Sequence, residues 1–258
     1  MRKYLTTLTI IALIISFTNN PFFQDVIKAV EIQKISKKKL LGQIDASTDA
    51  DFSVITAPYT LKKNMYMNTK AFRAYQEMYG IAAKEGIDLK IVSAFRSFNH
   101  QKRIWESKWT GTRKVLGQDL SKKYPNAEKR AKVILMFSSM PGTSRHHWGT
   151  DIDIYSVNDK DFLSGKGKVI YEWLQTHANE FGFCQVYTPK PDTRTTGYEE
   201  EKWHWSYHPV ATEYLEQYQK YINYNDIAGF KGDRVAKQIG AIENYVLGIN
   251  PSCKKSSN

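Results

Sequence analysis

Apolar side chains recur at helical spacing after Asn68 and predict the first long helix of the chain. They are Phe72, Tyr75, Met78, Tyr79 and Ala82. Residues three or four apart share one face of a helix, and Asn68 is a suitable cap for its start. Gly86 is a typical helix end. Apolar and polar residues then alternate from Ile87 to Phe95, which predicts a strand.

Later segments alternate between the helical spacing of apolar residues and the two-residue alternation of a strand. Further helices are predicted from Asn99 to about Trp109, from near Pro125 to Phe137, from Val169 to Phe181, and over about 210–222 and 234–247. Further strands are predicted at Thr150–Tyr155, Phe183–Tyr187 and Trp203–Tyr207. Helices interleaved with short strands, without a regular βαβ rhythm, predict an α+β fold.

The N-terminal residues differ in character from the rest. Arg2 and Lys3 precede an apolar stretch from Leu5 to Phe17, and about thirteen residues suit a signal peptide better than a membrane span of roughly 20. Residues 1–29 are therefore interpreted as a signal peptide or N-terminal anchor, with a buried N-terminal helix as the alternative. Residues 30–66 are polar and Lys-rich, which predicts an extended lead-in before a domain over 67–258.

Two cysteines, Cys184 and Cys253, are present. In an exported protein they would allow one disulfide, and the alternative is two unrelated thiols. They do not have the spacing of a CxxC metal site.

Composition and charge narrow the functional classes. With 41% hydrophobic and 13% aromatic residues the chain is typical of a globular protein. The formal charge of +11 raises the question of nucleic-acid binding. The positive residues are scattered, however, apart from a cluster within 34–39. An exported chain would meet anionic envelope polymers instead, or simply expose a solvated basic face, so nucleic acid is not expected as a partner.

Histidine is scarce, with six in the chain, and three of them lie in two short segments. His146 and His147 fall within 144–153, which also contains two aspartates, and His204 follows Glu201 by three residues. A catalytic zinc ion takes about three N/O ligands, an open position for water and a nearby base. Two His and one Asp as ligands, with Glu as base, could all come from these segments.

Spacing alone leaves the choice among neighbours open. Both His146 and His147 are candidate ligands. Asp151 and Asp153 face the same side of a strand, so periodicity cannot separate them. Glu201 and His204 lie close together on a helical turn but would point apart in an extended strand, so a bend is needed there.

The pattern Ser144-x-His146-x-x-Gly149-x-x-x-Asp153, followed by Glu201-x-x-His204, resembles the signature of the VanY/VanX-type zinc D-Ala-D-Ala peptidases. This group, often called LAS enzymes, shares its fold with the Hedgehog signalling domain. The segment 93–101 is similar to a third block, an arginine-bearing strand end that meets the substrate. The likeness covers roughly residues 85–220.

The resemblance implies a Hedgehog/DD-peptidase-like α+β fold, with a small antiparallel sheet flanked by helices around a zinc site. It implies His146, Asp153 and His204 as zinc ligands and Glu201 as general base. The substrate-binding positions that it implies are Arg96, Gln101 and Ser144. One departure is Asp151, where the family often has a small residue, commonly Ala.

The implied function is that of an exported zinc-dependent D,D- or L,D-carboxypeptidase. It would remove a terminal D-amino acid from peptidoglycan stem peptides in the periplasm or cell envelope, and touch the membrane only through an uncleaved N-terminal segment. The alternatives are a D,D-dipeptidase or endopeptidase of the same family, and a non-catalytic zinc-containing module that binds the cell wall. Glu201 favours catalysis, because a zinc-binding scaffold has no need of a base.

Overall fold

The computed structural model describes residues 34–191 and 193–254 of the 258-residue chain. The chain divides after Ile35, and the described residues from Ser36 onward belong to one compact unit. The predicted signal peptide, 1–29, lies outside the described residues. Within the described ranges, no helix is long and apolar enough to cross a membrane.

Seven α-helices and six strands are present in the described part of the chain. The helices are α1 Lys37–Leu40, α2 Thr69–Lys84, α3 Phe98–Trp109, α4 Leu120–Lys123, α5 Ala127–Ile134, α6 Gly165–His177 and α7 His208–Tyr221. The strands are β1 Phe52–Ile55, β2 Met65–Asn68, β3 Ile91–Ser93, β4 Asp151–Ile154, β5 Phe183–Gln185 and β6 His204–Tyr207. The predicted α+β fold, with small antiparallel sheets and flanking helices, is confirmed.

A four-stranded antiparallel sheet, in the order β3-β4-β6-β5, lies at the centre of the unit, while β1 and β2 pair separately. Asp153 is paired with His204 across β4 and β6, and Ile152 is paired with Trp205. Because side chains alternate between the faces of a strand, each such pair shares one face. The acidic and histidine positions therefore collect on one side of the sheet.

The other face of the sheet packs into the hydrophobic core. Helices α2 and α6 cover it with side chains such as Tyr75, Met78 and Trp173, each at most 6% exposed. Ile152 and Trp205 meet them from the sheet side. Burial of this apolar face fixes the register, because a slip by one residue would bring the aspartates into the core.

Two predicted helix starts are confirmed by their caps. The Asn68 side chain accepts hydrogen bonds from the backbone N–H groups of Lys70 and Ala71 at the start of α2. Asn126 caps α5 in the same way, by accepting from the backbone of Lys129. The predicted strand over 87–95 and the predicted helix over 125–137 both exist, but each is shorter than expected.

Two expectations differ from the structure. Residues 36–66 are not an extended arm: they contain α1 and β1, and Leu40 and Ile55 are at most 1% exposed. The predicted helix over 234–247 is wrong. A 3₁₀ turn at Asp233–Val235 and a π-helical segment at Ala241–Val246 replace it, because Gly240 between them adopts a left-handed φ of 61°.

Candidate metal centre

His146 is oriented by a backbone contact. It lies in a 3₁₀ turn, Arg145–Trp148, immediately before β4, and is 4% exposed. Its Nδ1 is 2.9 Å from the carbonyl oxygen of Ala94, and since a carbonyl can only accept, Nδ1 donates. The lone pair is therefore on Nε2, which lies 3.3 Å from Oδ1 of Asp153.

Glu201 and His204 are brought together by a tight turn at the start of β6. The backbone N–H of His204 donates to the carbonyl of Glu201 at 3.3 Å, which is the bend that their spacing requires. Glu201 Oε2 then lies 3.1 Å from His204 Nδ1. The backbone N–H of Glu201 donates to the carbonyl of Tyr187, so the turn is tied to the chain that follows β5.

Asp153 completes the cluster. Its Oδ1 lies 3.3 Å from Nε2 of His146 and 3.4 Å from Nδ1 of His204, yet it is buried without a hydrogen-bond partner among the described residues. One ligand atom from each of the three residues lies within 4.8 Å of the other two. An orphaned carboxylate oxygen between two imidazole nitrogens is the donor set that a zinc ion prefers, so these residues fit the metal.

The electrostatics of the cluster favour a positive charge. Burial alone would raise the pKa of Asp153, but His146 and His204 hold that pKa well below its usual range. Burial would likewise lower the pKa of His204, and the neighbouring carboxylates of Asp151, Asp153 and Glu201 raise it well above its usual value instead. A cation placed between the carboxylates would be stabilised for the same reason.

The structure separates His147 from His146. The Nδ1 of His147 donates to the carbonyl of Arg96, and its Nε2 accepts from the backbone N–H of Gly142 at 3.0 Å. Burial lowers the pKa of His147 to about 3, so the ring stays neutral. Because both of its ring nitrogens are hydrogen-bonded to backbone groups, the His147 side chain holds the backbone of Arg96 in place.

Asp151 also faces the polar side of the sheet, but it lies behind His204. The Asp151 carboxylate accepts hydrogen bonds from Arg145, Thr150 and Ser206 and from Nε2 of His204. Sequence analysis left Asp151 as an alternative to Asp153 and as a departure from the family pattern, and the structure makes it a hydrogen-bond partner of His204. The strand spacing of the two aspartates predicted that both face the same side of the sheet. Only the pairing of β4 with β6 shows which side chain each one contacts.

Arg96 stands beside the cluster. Its Nη1 donates to Oε1 of Gln101 at 2.8 Å, and its Nη2 donates to Oγ of Ser93 at 3.1 Å. The same Nη2 lies 3.8 Å from Oδ2 of Asp153, with 19% of the Arg96 side chain exposed. Gln101 is fully buried and donates to the carbonyl of Ser139 at 2.7 Å, so it holds the guanidinium in place.

Ser144 lies two residues before His146, at the start of the same 3₁₀ turn. Its carbonyl accepts from the backbone of His147. Its Oγ is buried and, within the described part of the chain, has no hydrogen-bond partner. A buried hydroxyl of this kind is available to a ligand.

Comparison with known sequences identifies the family. A sequence model described as VanY, D-alanyl-D-alanine carboxypeptidase, matches residues 64–210, which is more than half of the chain. The chain belongs to this VanY family. The matched range contains both motif segments, 144–153 and 201–204, so the resemblance drawn from them is confirmed.

Two relatives extend the comparison. A Bacillus subtilis (strain 168) protein named "Putative carboxypeptidase YodJ" is 31% identical over 148 residues, which cover 55% of this chain and 46% of that protein. A Haemophilus influenzae (strain ATCC 51907 / DSM 11121 / KW20 / Rd) protein named "Uncharacterized protein" is 33% identical over 90 residues, covering 34% of this chain and 62% of that one. The chain thus spans less than two thirds of either relative.

Solved structures of similar fold include VanY-type and LD-carboxypeptidases. VanYB in complex with D-alanine-D-alanine is 24% identical, with coverage of 66% of this chain and 94% of that one and a TM-score of 0.46. The LdcB LD-carboxypeptidase is 21% identical, with coverage of 76% and 79% and a TM-score of 0.48. Likenesses of this strength do not assign an activity or a substrate.

Proposed function

We propose that this VanY-family chain is a zinc-dependent carboxypeptidase that removes a terminal D-amino acid from peptidoglycan stem peptides. The observation that carries the proposal is the orphaned Oδ1 of Asp153, which lies between Nε2 of His146 and Nδ1 of His204. Membership of the VanY family supports the substrate class.

In this proposal His146, Asp153 and His204 are the metal ligands. Two imidazoles and one carboxylate form a ligand set that would hold a catalytic zinc ion and leave room for water. When bound, zinc supplies Lewis acidity to the scissile carbonyl and lowers the pKa of its water toward about 7.

Glu201 acts as the general base. It lies within hydrogen-bond distance of a ligand, His204, and 8% of the residue is exposed. Its carboxylate accepts a proton from the attacking water and passes it to the leaving amine.

The substrate end is held on the side of Arg96. A guanidinium binds a carboxylate through two parallel hydrogen bonds, and Gln101 already orients this one. The free carboxylate of the terminal D-residue is thus placed next to the zinc ligands, while the Ser144 hydroxyl is available to the same end of the stem.

The site of action in this proposal is the cell envelope. Arg2 and Lys3 ahead of the apolar stretch Leu5–Phe17 support export, and a disulfide between Cys184 and Cys253 is typical of proteins from oxidising compartments. Cell fractionation tests this, and a purely cytosolic pool would contradict it.

Replacing the base tests the function. Glu201→Gln keeps the size of the side chain and removes proton transfer, so we expect zinc content to stay near one per chain while turnover falls by about 10²–10⁴. Defined tetra- and pentapeptide stems, with and without chelator, followed by mass spectrometry, provide the measurement. The matched control is Glu199→Gln, since Glu199 pairs with Lys190, and it should leave turnover near that of the parent.

Two results would contradict the proposal. Full activity of Glu201→Gln, or activity that survives complete removal of metal, would exclude this mechanism. Stoichiometric zinc without turnover in the parent protein would instead indicate a binding module.

A further inference from the structure

One buried charged group has no part in the proposed reaction. Asp151 is fully buried in β4, two residues before Asp153. A carboxylate in such a position is costly unless it is hydrogen-bonded and paired, so its partners indicate its role.

The Asp151 carboxylate is held from every side. Its Oδ1 accepts from Oγ1 of Thr150 at 2.8 Å and from Oγ of Ser206 at 2.7 Å. Its Oδ2 accepts from Nε of Arg145 at 2.8 Å and from Nε2 of His204 at 2.9 Å. Four short hydrogen bonds from separate groups fix the carboxylate plane, and that plane fixes the His204 ring.

The contact with Asp151 decides which nitrogen of His204 is available. A carboxylate accepts from an N–H, so Nε2 carries the hydrogen and the Nδ1 lone pair points toward Asp153 and Glu201. The His146 ring is oriented in the same way by a neutral backbone carbonyl, that of Ala94, which accepts from its Nδ1. The two histidines are therefore oriented by acceptors of different charge.

Arg145 makes this arrangement stable. The Arg145 side chain is 1% exposed, donates to both Asp151 and Ser206, and stacks its guanidinium over the ring of Trp148. The negative charge of Asp151 is thus balanced by Arg145, whose Nε shares Oδ2 with His204. The carboxylate remains available to the imidazole without adding an unpaired charge to the core.

We propose that Asp151 is a positioning residue that locks His204 with Nδ1 toward the metal and thereby sets the zinc affinity of the site. This inference rests on the proposed function. A carboxylate behind a ligating imidazole fixes its tautomer and raises its basicity, and its loss typically weakens metal binding by about 10–100-fold.

Zinc affinity of the purified full chain, measured by competition with a chromophoric chelator, tests the proposal without using activity. We expect Asp151→Ala to bind zinc about 10–100-fold more weakly than the parent. Asp151→Asn keeps an oxygen that can accept from Nε2, so it should recover part of that loss. The matched control is Thr212→Val, which removes one buried hydrogen bond, to His208, and should bind zinc within about threefold of the parent.

Folding is checked by circular dichroism for each variant. Should Asp151→Ala leave Arg145 unpaired and fail to fold, the double variant Asp151→Ala/Arg145→Gln, which removes both charges, takes its place, with the same expected weakening. A folded variant with Ala at position 151, single or double, that binds zinc within about threefold of the parent overturns the inference. A parent chain that binds no zinc overturns the proposed function instead, so the two failures are distinguishable.

Discussion

At the scale of single residues, the role of Arg96 distinguishes a carboxypeptidase, which acts at free peptide ends, from an endopeptidase, which cuts within a chain. Its guanidinium is held by Gln101 and Ser93 and lies 3.8 Å from Asp153. The partly exposed side chain is therefore fixed in direction before any substrate arrives. A preorganised donor pair of this kind discriminates strongly between substrates that have a carboxylate and those that lack one.

Arg96→Ala should damage one substrate class selectively. For stems with a free terminal carboxylate we expect kcat/KM to fall by at least about 30-fold, because a charge-assisted pair of roughly 2 kcal/mol or more is lost. For stems whose end is amidated, kcat/KM should change by less than about threefold. Arg73→Ala, which removes an exposed charge on α2, is the control. Equal losses on both substrates would assign Arg96 a structural role or indicate an endopeptidase.

The residue scale also shows what sequence could and could not predict about the site. The resemblance to the family motif selected His146, Asp153, Glu201 and His204, and the structure brings these four side chains together. Spacing could not separate His146 from His147, because the choice depends on acceptors that lie far away in sequence. The ligand assignment itself stays a prediction until metal is measured.

At the scale of elements, the main surprise is the segment before α2. Its strands β1 and β2 have four residues each, with burial that does not alternate cleanly, so periodicity could not identify them. Helix α1 is also only four residues long. Elements this short take their stability from packing against the rest of the domain, and a local sequence pattern carries little of that information.

The end of α1 shows how this segment reaches the site. Gly42 has a φ of 70°, and its carbonyl accepts from the backbone of Phe98 at the start of α3 at 2.7 Å. A Cβ at Gly42 would collide with Nδ1 and Cγ of His147. That ring nitrogen donates to the carbonyl of Arg96. Gly42 is therefore connected through His147 to Arg96, the residue proposed to bind the substrate carboxylate.

Gly42→Ala should therefore cost more than backbone strain alone. A left-handed non-glycine residue costs about 1–2 kcal/mol, and displacement of His147 adds to this. Gly86→Ala is the matched control, because Gly86 has a similar φ of 76° and open space around its Cβ position. Urea unfolding should show at least twice the loss of unfolding free energy for Gly42→Ala. Equal losses for the two variants would mean that His147 adjusts without cost.

At the scale of the whole molecule, the C-terminal region is fastened to the sheet that carries the site. A disulfide joins Cys184 in β5 to Cys253, which confirms the predicted pairing of the two cysteines. Nearby, the backbone N–H of Asn250 donates to the carbonyl of Val186 at 2.9 Å. Sequence supplied the two cysteines but not their separation in space, since they are 69 positions apart in the sequence and the intervening fold brings them together.

Breaking this disulfide should lower stability while leaving the metal ligands in place. Closing a loop of this length removes chain entropy from the unfolded state, worth roughly 4 kcal/mol in the loop-closure model. We expect reductant to lower the urea-unfolding free energy of the parent by up to about that amount. Cys184→Ala/Cys253→Ala should start at the lower value and not respond to reductant, with zinc content near one per chain, because the contacts that orient His146, Asp153 and His204 involve neither cysteine. If a thiol assay shows two free thiols in the reduced parent and its unfolding free energy is unchanged, the disulfide does not stabilise the fold.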